Sequence, residues 1–203
     1  MSEFFSDMCS VVASLMMLAV LVTYLKQLVE GSSTPNPATW FIWASVGIIN
    51  SITYFYTARE ELFQFLTTAV AAMGLCIIFI YALYRGRIGK VELTEKVSFL
   101  LAAVVMVIWR VSGDPVMANL SLQVVYFVSF IPTVKGLLEH RLKEKPLPWD
   151  LAVIAYSFMI LAVLLRWGIE NPEALAFPIV NGIIGNGIVS VIVHTQLRTK
   201  KPR

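Results

Sequence analysis

Long apolar stretches separated by short polar segments dominate the hydropathy pattern of this chain. Seven stretches without a charged residue stand out, at residues 8–25, 31–58, 62–84, 97–109, 115–134, 151–165 and 174–193. A helix that crosses a bilayer needs about 20 mainly apolar residues, and five stretches are long enough unaided. The fourth and sixth become spans only when Arg110, Asp150 and Arg166 lie at the interface, where their side chains reach water. We therefore predict seven membrane-spanning segments.

These spans are predicted to be helices, because no stretch alternates apolar and polar residues with the two-residue period of a membrane barrel. Pro37, Pro115, Pro148 and Pro172 each lie at or before a predicted helix start, where a missing N–H costs nothing. The composition agrees, since 58% of the residues are hydrophobic and 14% are charged, whereas globular proteins carry about 25% charged residues. The fold class is therefore an all-α integral membrane protein in contact with the lipid bilayer.

The distribution of Lys and Arg predicts the orientation. With seven spans and an external N-terminus, thirteen of the sixteen basic residues fall on the inner side, as the positive-inside rule requires. The net charge of +3 is scattered in short clusters between spans, which indicates topology rather than nucleic-acid binding. We expect a prokaryotic cytoplasmic membrane protein with its N-terminus outside and its C-terminus in the cytoplasm. The sequence leaves a homo-oligomer open.

An internal repeat relates the two halves of the chain. At an offset of 109 residues, five identities occur within fifteen positions, which pair Lys26, Leu28, Glu30, Pro37 and Trp40 with Lys135, Leu137, Glu139, Pro146 and Trp149. Ordinary residue frequencies would supply about one. Both segments fall on the same side of the membrane. We therefore predict two parallel three-helix repeats, residues 1–92 and 114–203, joined by a linker helix in residues 93–113.

The second repeat junction carries a family resemblance, in the run Ser-Phe-Ile-Pro-Thr-Val-Lys at 129–135 followed by Pro-Leu-Pro-Trp at 146–149. It resembles the PQ-loop and SWEET superfamily. The resemblance implies a seven-helix protein, in a 3+1+3 plan, that carries neutral solutes such as sugars by alternating access. The family's Pro-Gln pair reads Pro132-Thr133 here, and the first half has no proline at the matching position. Sugar-carrying members use an asparagine in the third helix of each half, which Asn186 matches in the second half only.

Uncharged polar residues near the middle of the predicted spans are candidate solute contacts, because a polar side chain is costly in hydrocarbon. The candidates are Asn50, Tyr126, Tyr156, Ser157 and Asn186. An asparagine amide has donors and acceptors that suit the hydroxyls or amides of a neutral ligand. Hydrogen bonding between packed helices is the alternative role, for Asn50 above all.

Four further features have two possible roles each. Pro132 has no N–H for the Val128 carbonyl, so the fifth span should kink there, as a packing feature or as a hinge. Asp150 begins the sixth span as a helix cap or as a cytoplasmic gate. The glycines at 182, 185 and 187 allow close helix contact or leave room for a ligand. The tryptophans near span ends are typical of an aromatic belt, with ligand stacking as the alternative.

The inventory of charged and reactive residues decides the predicted function. No charged residue lies in the middle of a span, so a neutral solute and facilitated diffusion fit best. His140 and His194 lack metal partners at ligand spacing, and we expect no enzyme activity, no metal and no cofactor. We predict a small-solute transporter; the alternative is a non-transporting sorting or docking receptor with the same fold. A polar midplane cavity reachable from both sides would favour the carrier.

Overall fold

The computed structural model describes residues 2–35, 37–84, 93–167 and 172–199. In these ranges the regular secondary structure is helical, without a strand, and short turns connect the helices. The helices are α1 (Ser2–Val29), α2 (Pro37–Thr57), α3 (Leu62–Tyr84), α4 (Leu93–Ser112), α5 (Pro115–Leu138) and α6 (Pro146–Leu165), followed by a 3₁₀ turn (Pro172–Leu175), a π-helical segment (Pro178–Asn186) and α7 (Gly187–Thr199). The all-α prediction is confirmed, and every predicted span overlaps one helical segment.

Five segments are long and apolar enough to cross a membrane, namely α1, α3, α5, α6 and the last segment Pro172–Thr199. They support an integral membrane protein. The other two predicted spans are α2 and α4. Helix α2 carries several polar side chains that are buried inside the bundle, among them Asn50, Ser51 and Thr53, and these lower its hydropathy. In α4 the apolar helical part Ala103–Ser112 is too short to cross a membrane by itself.

Proline and a capping carboxylate define the start of α5. Pro115 occupies the first turn, where its missing N–H would have had no partner. The Asp114 side chain accepts hydrogen bonds from the Val116 and Met117 amides at 2.9 and 3.2 Å, which satisfies two amides at the helix start. The helix then continues through Pro132, whose ring is buried.

The helices pack around a common centre. Helix α3 packs between α1 and α2, while α1 contacts α6 and α2 contacts α5. The last segment packs against α5 and α6, and α4 lies mainly against α5. Small residues are buried on both α1 and α6, including Ser10 and Ala13 on the first and Ala155 and Ala162 on the second. Small side chains let membrane helices approach closely.

The helix bundle has two ends, the Glu144 end and the Arg166 end. The Glu144 end contains the end of α1, the start of α2 and the connection between α5 and α6. There the Thr34 amide donates to the Lys143 carbonyl at 2.8 Å, and the Lys143 amide donates to Thr34 Oγ1 at 2.8 Å. The Arg166 end contains the start of α1, the connection between α2 and α3, and the end of α6.

Candidate functional site

A cavity of about 80 Å³ lies at the centre of the bundle. Its walls come from α1, α2, α3, α5, α6 and the π-helical segment. One enclosed water needs about 10–15 Å³, so the space is large enough for several waters or for part of a small solute. Typical ligand pockets measure about 300–1,000 Å³, so the volume of this cavity is well below that of a typical ligand pocket.

Seven aromatic side chains contribute to the cavity wall. They are Tyr24, Trp40, Trp43, Tyr126, Phe130, Trp149 and Tyr156. The three tryptophans among them are at most 6% exposed, so for these residues the interpretation as an aromatic belt is wrong. Their rings pack against one another and against Tyr24 and Phe130 beside the cavity. Trp167, in contrast, is 63% exposed and remains consistent with a belt position.

The polar side chains of the wall are Asn181 and Asn186 in the π-helical segment. Asn186 Nδ2 donates to the Asn181 carbonyl at 2.6 Å, and Asn181 Nδ2 donates to the Tyr156 hydroxyl at 2.8 Å. The remaining amide donor and acceptor capacity can meet a solute. The structure thus brings together three of the predicted contacts, Asn186, Tyr156 and Tyr126, and adds Asn181, which the sequence interpretation did not select.

The local shape of the last segment follows from its glycines. A β-carbon at Gly182 would overlap Cβ and Cγ of Tyr156, and one at Gly185 would overlap the ring of Phe130. Glycine is therefore required for the close approach of this segment to α6 and α5. A π-helix widens the backbone and is found frequently at functional sites. Here it carries both asparagines that line the cavity.

Two predicted contacts, Asn50 and Ser157, do not line this cavity. Asn50 Oδ1 accepts hydrogen bonds from Asn119 Nδ2 at 3.1 Å and from Gln123 Nε2 at 3.4 Å, which ties α2 to α5. It acts as a packing residue, because its amide faces a neighbouring helix. Ser157 is exposed on the outer surface of α6 and donates to the Val153 carbonyl at 2.8 Å.

Asp150 makes contacts that the sequence did not indicate. Its Oδ1 accepts a hydrogen bond from Ser190 Oγ, and its Oδ2 lies 2.9 Å from Nε2 of His194. These contacts tie the first turn of α6 to α7. The serine bonds the carboxylate rather than the histidine, so the trio lacks the geometry that activates a nucleophile. The predicted roles of Asp150 as a gate and of Pro132 as a hinge stay predictions.

A polar cluster adjoins the cavity at the Glu144 end. The Tyr24 hydroxyl donates to Glu144 Oε1 at 2.8 Å. The Tyr24 ring packs on Trp40 with centroids 4.8 Å apart and meets the edge of Trp149 at 6.2 Å. Trp149 Nε1 and Glu144 Oε2 are both buried without a hydrogen-bond partner. This cluster joins α1 and α2 to the start of α6.

An ion cluster joins the helices at the Arg166 end. The Arg166 guanidinium pairs with Asp7 at 2.7 Å and with Glu61, and its Nε donates to Ser6 Oγ at 3.1 Å. The Ser6 hydroxyl in turn donates to the Ala162 carbonyl at 2.9 Å. The arginine side chain is 9% exposed. The sequence predicts that the Arg166 side chain reaches water at the membrane interface. In the structure, Arg166 is instead a buried ion-pair partner of Asp7 and Glu61.

No protein-family profile, curated protein or solved structure matches this chain significantly.

Proposed function

We propose that this protein is an alternating-access carrier for a small solute. The cavity carries the proposal, because it lies between the helices and contacts between the early and the late helices occur at both ends of the bundle. At one end Tyr24 on α1 contacts Glu144 between α5 and α6. At the other end Arg166 after α6 contacts Asp7 and Glu61. Release of one set while the other persists would open the cavity to one side at a time, as alternating access demands.

The proposal includes two parallel three-helix repeats joined by α4. Packing of α1 on α6 and of α2 on α5 supports it, because a twofold axis would interchange these two pairs. Thr34 and Lys143 differ by the repeat offset of 109 residues and hydrogen-bond to each other, as equivalent residues beside such an axis would. Trp40 and Trp149, which also differ by the offset, both line the cavity.

Membership of the PQ-loop and SWEET superfamily is part of the same proposal. It rests on the residues of the second repeat junction and on the arrangement of helices just described. In this reading Pro132 serves as a hinge in α5, because its missing N–H weakens one turn of a helix that contributes Tyr126 and Phe130 to the cavity wall.

The wall chemistry supports a neutral solute with a flat apolar face and a few hydrogen-bonding groups. None of the residues that line the cavity is charged, so a fixed charge on the solute would be desolvated without a partner there. Aromatic rings would stack on the apolar face. Asn181 and Asn186 would bond the polar edge. A sugar-like ring combines these two properties.

The proposed orientation has the N-terminus outside and the Glu144 end facing the cytoplasm, because the positive-inside rule favours that arrangement. We expect a tag fused to the C-terminus to react with an impermeant reagent only after the cells are opened. A tag fused to the N-terminus should react in intact cells. Labelling of both tags from the same side would contradict an odd number of spans.

The ligand-binding role is tested first by thermal stability in detergent with neutral sugars, amino acids and vitamins as probes. A solute that binds the folded protein raises its melting temperature. For a probe that does so, Asn186→Leu should raise the dissociation constant by at least about tenfold, which corresponds to the loss of about 1.4 kcal/mol. The variant should still fold, since an intramembrane hydrogen bond contributes only about 0.6 kcal/mol on average.

Ser157→Leu is the matched control, because it places the same side chain on α6 but on the outer surface. It should bind the probe as the wild type does. An Asn186→Leu protein with an unchanged elution profile and wild-type affinity would remove Asn186 from the site. A chain that is stabilised by no solute in the screen would favour the docking receptor over the carrier.

A further inference from the structure

Glu144 is a half-buried residue whose carboxyl turns inward, although the sequence places it in a basic connection between α5 and α6. Its neighbours Lys143 and Lys145 are exposed. The connection at 139–145 contacts α1 and the segment after it. Glu144 as a whole residue keeps some contact with solvent, but its Oε2 atom has none. The structure therefore supplies a buried acid beside the cavity although the spans themselves contain none in their centres.

The groups that face this carboxyl are uncharged. They are the Tyr24 hydroxyl from α1, Ser33 from the connection after α1, and the Trp149 indole from α6. The Trp149 N–H is close enough to favour the ionised carboxyl, but it does not reach hydrogen-bond geometry. No ion pair joins Glu144 to a cation among the described residues.

The flanking Lys143 and Lys145 side chains are exposed, and two other pairs of charges in this part of the chain are engaged with one another rather than with Glu144. At the end of α1, Lys26 pairs with Glu30 at 4.0 Å, and both side chains are exposed. In the connection after α5, Arg141 pairs with Glu139. An ionised Glu144 would therefore be desolvated with only hydrogen bonds to stabilise it, which is costly in the closed arrangement.

We infer that Glu144 is a proton-binding site, occupied when the Glu144 end of the cavity is closed and emptied when that end opens. The geometry behind this is the Tyr24–Glu144 contact, which joins the early helices to the late ones. Opening must separate the two residues and admit water to the carboxyl. The proton is then released to the solution on that side, and closure takes one up again.

The direction of the pH dependence follows from the burial of the carboxyl. Burial raises the pKa of Glu144 from 4.5 to about 7, and the hydrogen-bonding groups of Tyr24, Ser33 and Trp149 offset only part of that rise. The closed state thus binds the proton more tightly than an open, hydrated state with the ordinary pKa. Closure is favoured at low pH and is progressively lost as the pH rises from about 4.5 to 7.

This inference rests on the proposed carrier function and extends it. Facilitated diffusion needs no ion, and because Glu144 takes up and releases its proton on the same side, no proton has to cross the membrane. The proton instead makes the closing of the Glu144 end depend on the pH of the solution at that end. Solute flux should then respond to the pH on that side. The proton site can nevertheless be tested without any solute, so its failure and the failure of the carrier proposal are distinguishable.

The first measurement is the intrinsic tryptophan fluorescence of the purified full chain in detergent between about pH 5 and pH 9. Trp40 and Trp149 pack against Tyr24, so their emission should report the state of Glu144. The wild type should show a transition centred near neutral pH. Glu144→Gln should abolish it. Glu139→Gln is the matched control, because it removes an exposed carboxylate in the same connection, and its transition should be unchanged.

The second measurement follows the opening itself. Ala152 lines the cavity about two turns into α6 and is 4% exposed. A cysteine at this position, in a chain with Cys9→Ser and Cys76→Ser, is labelled with a soluble maleimide. Dividing each rate by that of the same chain with Glu144→Gln cancels the thiol's own pH dependence. The ratio should rise at least about tenfold from pH 5 to pH 9, since each pKa unit of difference is worth a factor of ten.

A further variant keeps the inference testable should Glu144→Gln fail to fold. Tyr24→Phe removes the hydroxyl that favours the ionised carboxyl, so the fluorescence transition should move to higher pH. Absence of a transition in the wild type, its persistence in Glu144→Gln, or a flat labelling ratio would each overturn the proton site. Solute binding by a chain without the transition would leave a facilitative carrier in place.

Discussion

The Gly182→Ala protein is expected to fold in much reduced yield and to melt at a lower temperature than the wild type. The added β-carbon would overlap Cβ and Cγ of Tyr156, and the Cβ atom is fixed by the α6 backbone, so a rotamer change cannot remove the overlap. Overpacking of this kind costs about 1–3 kcal/mol, and more where the backbone must shift. Thermal unfolding in detergent, followed by circular dichroism, measures the effect.

The same segment provides graded controls. Gly187→Ala meets no atom within 4 Å and should be neutral or slightly stabilising, since alanine favours helix by about 1 kcal/mol over glycine. Gly185→Ala should fall between the two, because it meets the outer atoms of the Phe130 ring, which can turn aside. Equal stability of the three variants would contradict the close packing of the π-helical segment.

Arg166→Met is expected to have the second large effect. It leaves Asp7 and Glu61 without their shared cation at the Arg166 end, where their side chains are 32% and 26% exposed. Removal of one partner from a buried ion pair costs about 3–5 kcal/mol. We expect the lower part of that range, because both carboxylates keep some contact with water. The free energy of unfolding in detergent is the measurement.

Arg141→Met is the matched control, because its pair with Glu139 is about half exposed on both sides. Exposed pairs contribute about 0–1 kcal/mol, so this variant should be close to the wild type. Replacing both carboxylates by amides in the Arg166→Met background should restore much of the loss, since the destabilisation comes from uncompensated charge. No recovery would mean that Arg166 acts through packing of its stem instead.

The helical segments were predictable because they follow from solvation. A chain in lipid must satisfy its backbone internally, and long apolar runs between prolines therefore become helices. The predicted stretch 62–84 coincides with α3, and the fifth span begins at Pro115 as expected. The sequence also selected Asn186, Tyr126 and Tyr156, because polar groups at mid-span depth are rare and stand out against an apolar background.

The remainder of the site was not predictable from the sequence. The position of a residue along a helix gives its depth in the membrane, but it does not say which neighbouring helix its side chain faces. Asn50 and Asn186 are both mid-span amides, yet one bonds Asn119 on α5 and the other lines the cavity. Tryptophans near span ends have the same pattern whether they face lipid or a cavity. Trp149 turns inward because α6 packs against α1 around a common centre.

The amino-acid sequence alone determined that this is an all-helical chain suited to a membrane and determined where its helices lie, because hydrophobic run length and proline position act locally. The tertiary structure decided which polar groups matter. Glu144 and Arg166 look like ordinary charges beside polar connections, and only the packing of distant helices removes them from water and gives them Tyr24, Asp7 and Glu61 as partners. Their environment depends on contacts across more than 100 residues of sequence, which no local pattern records.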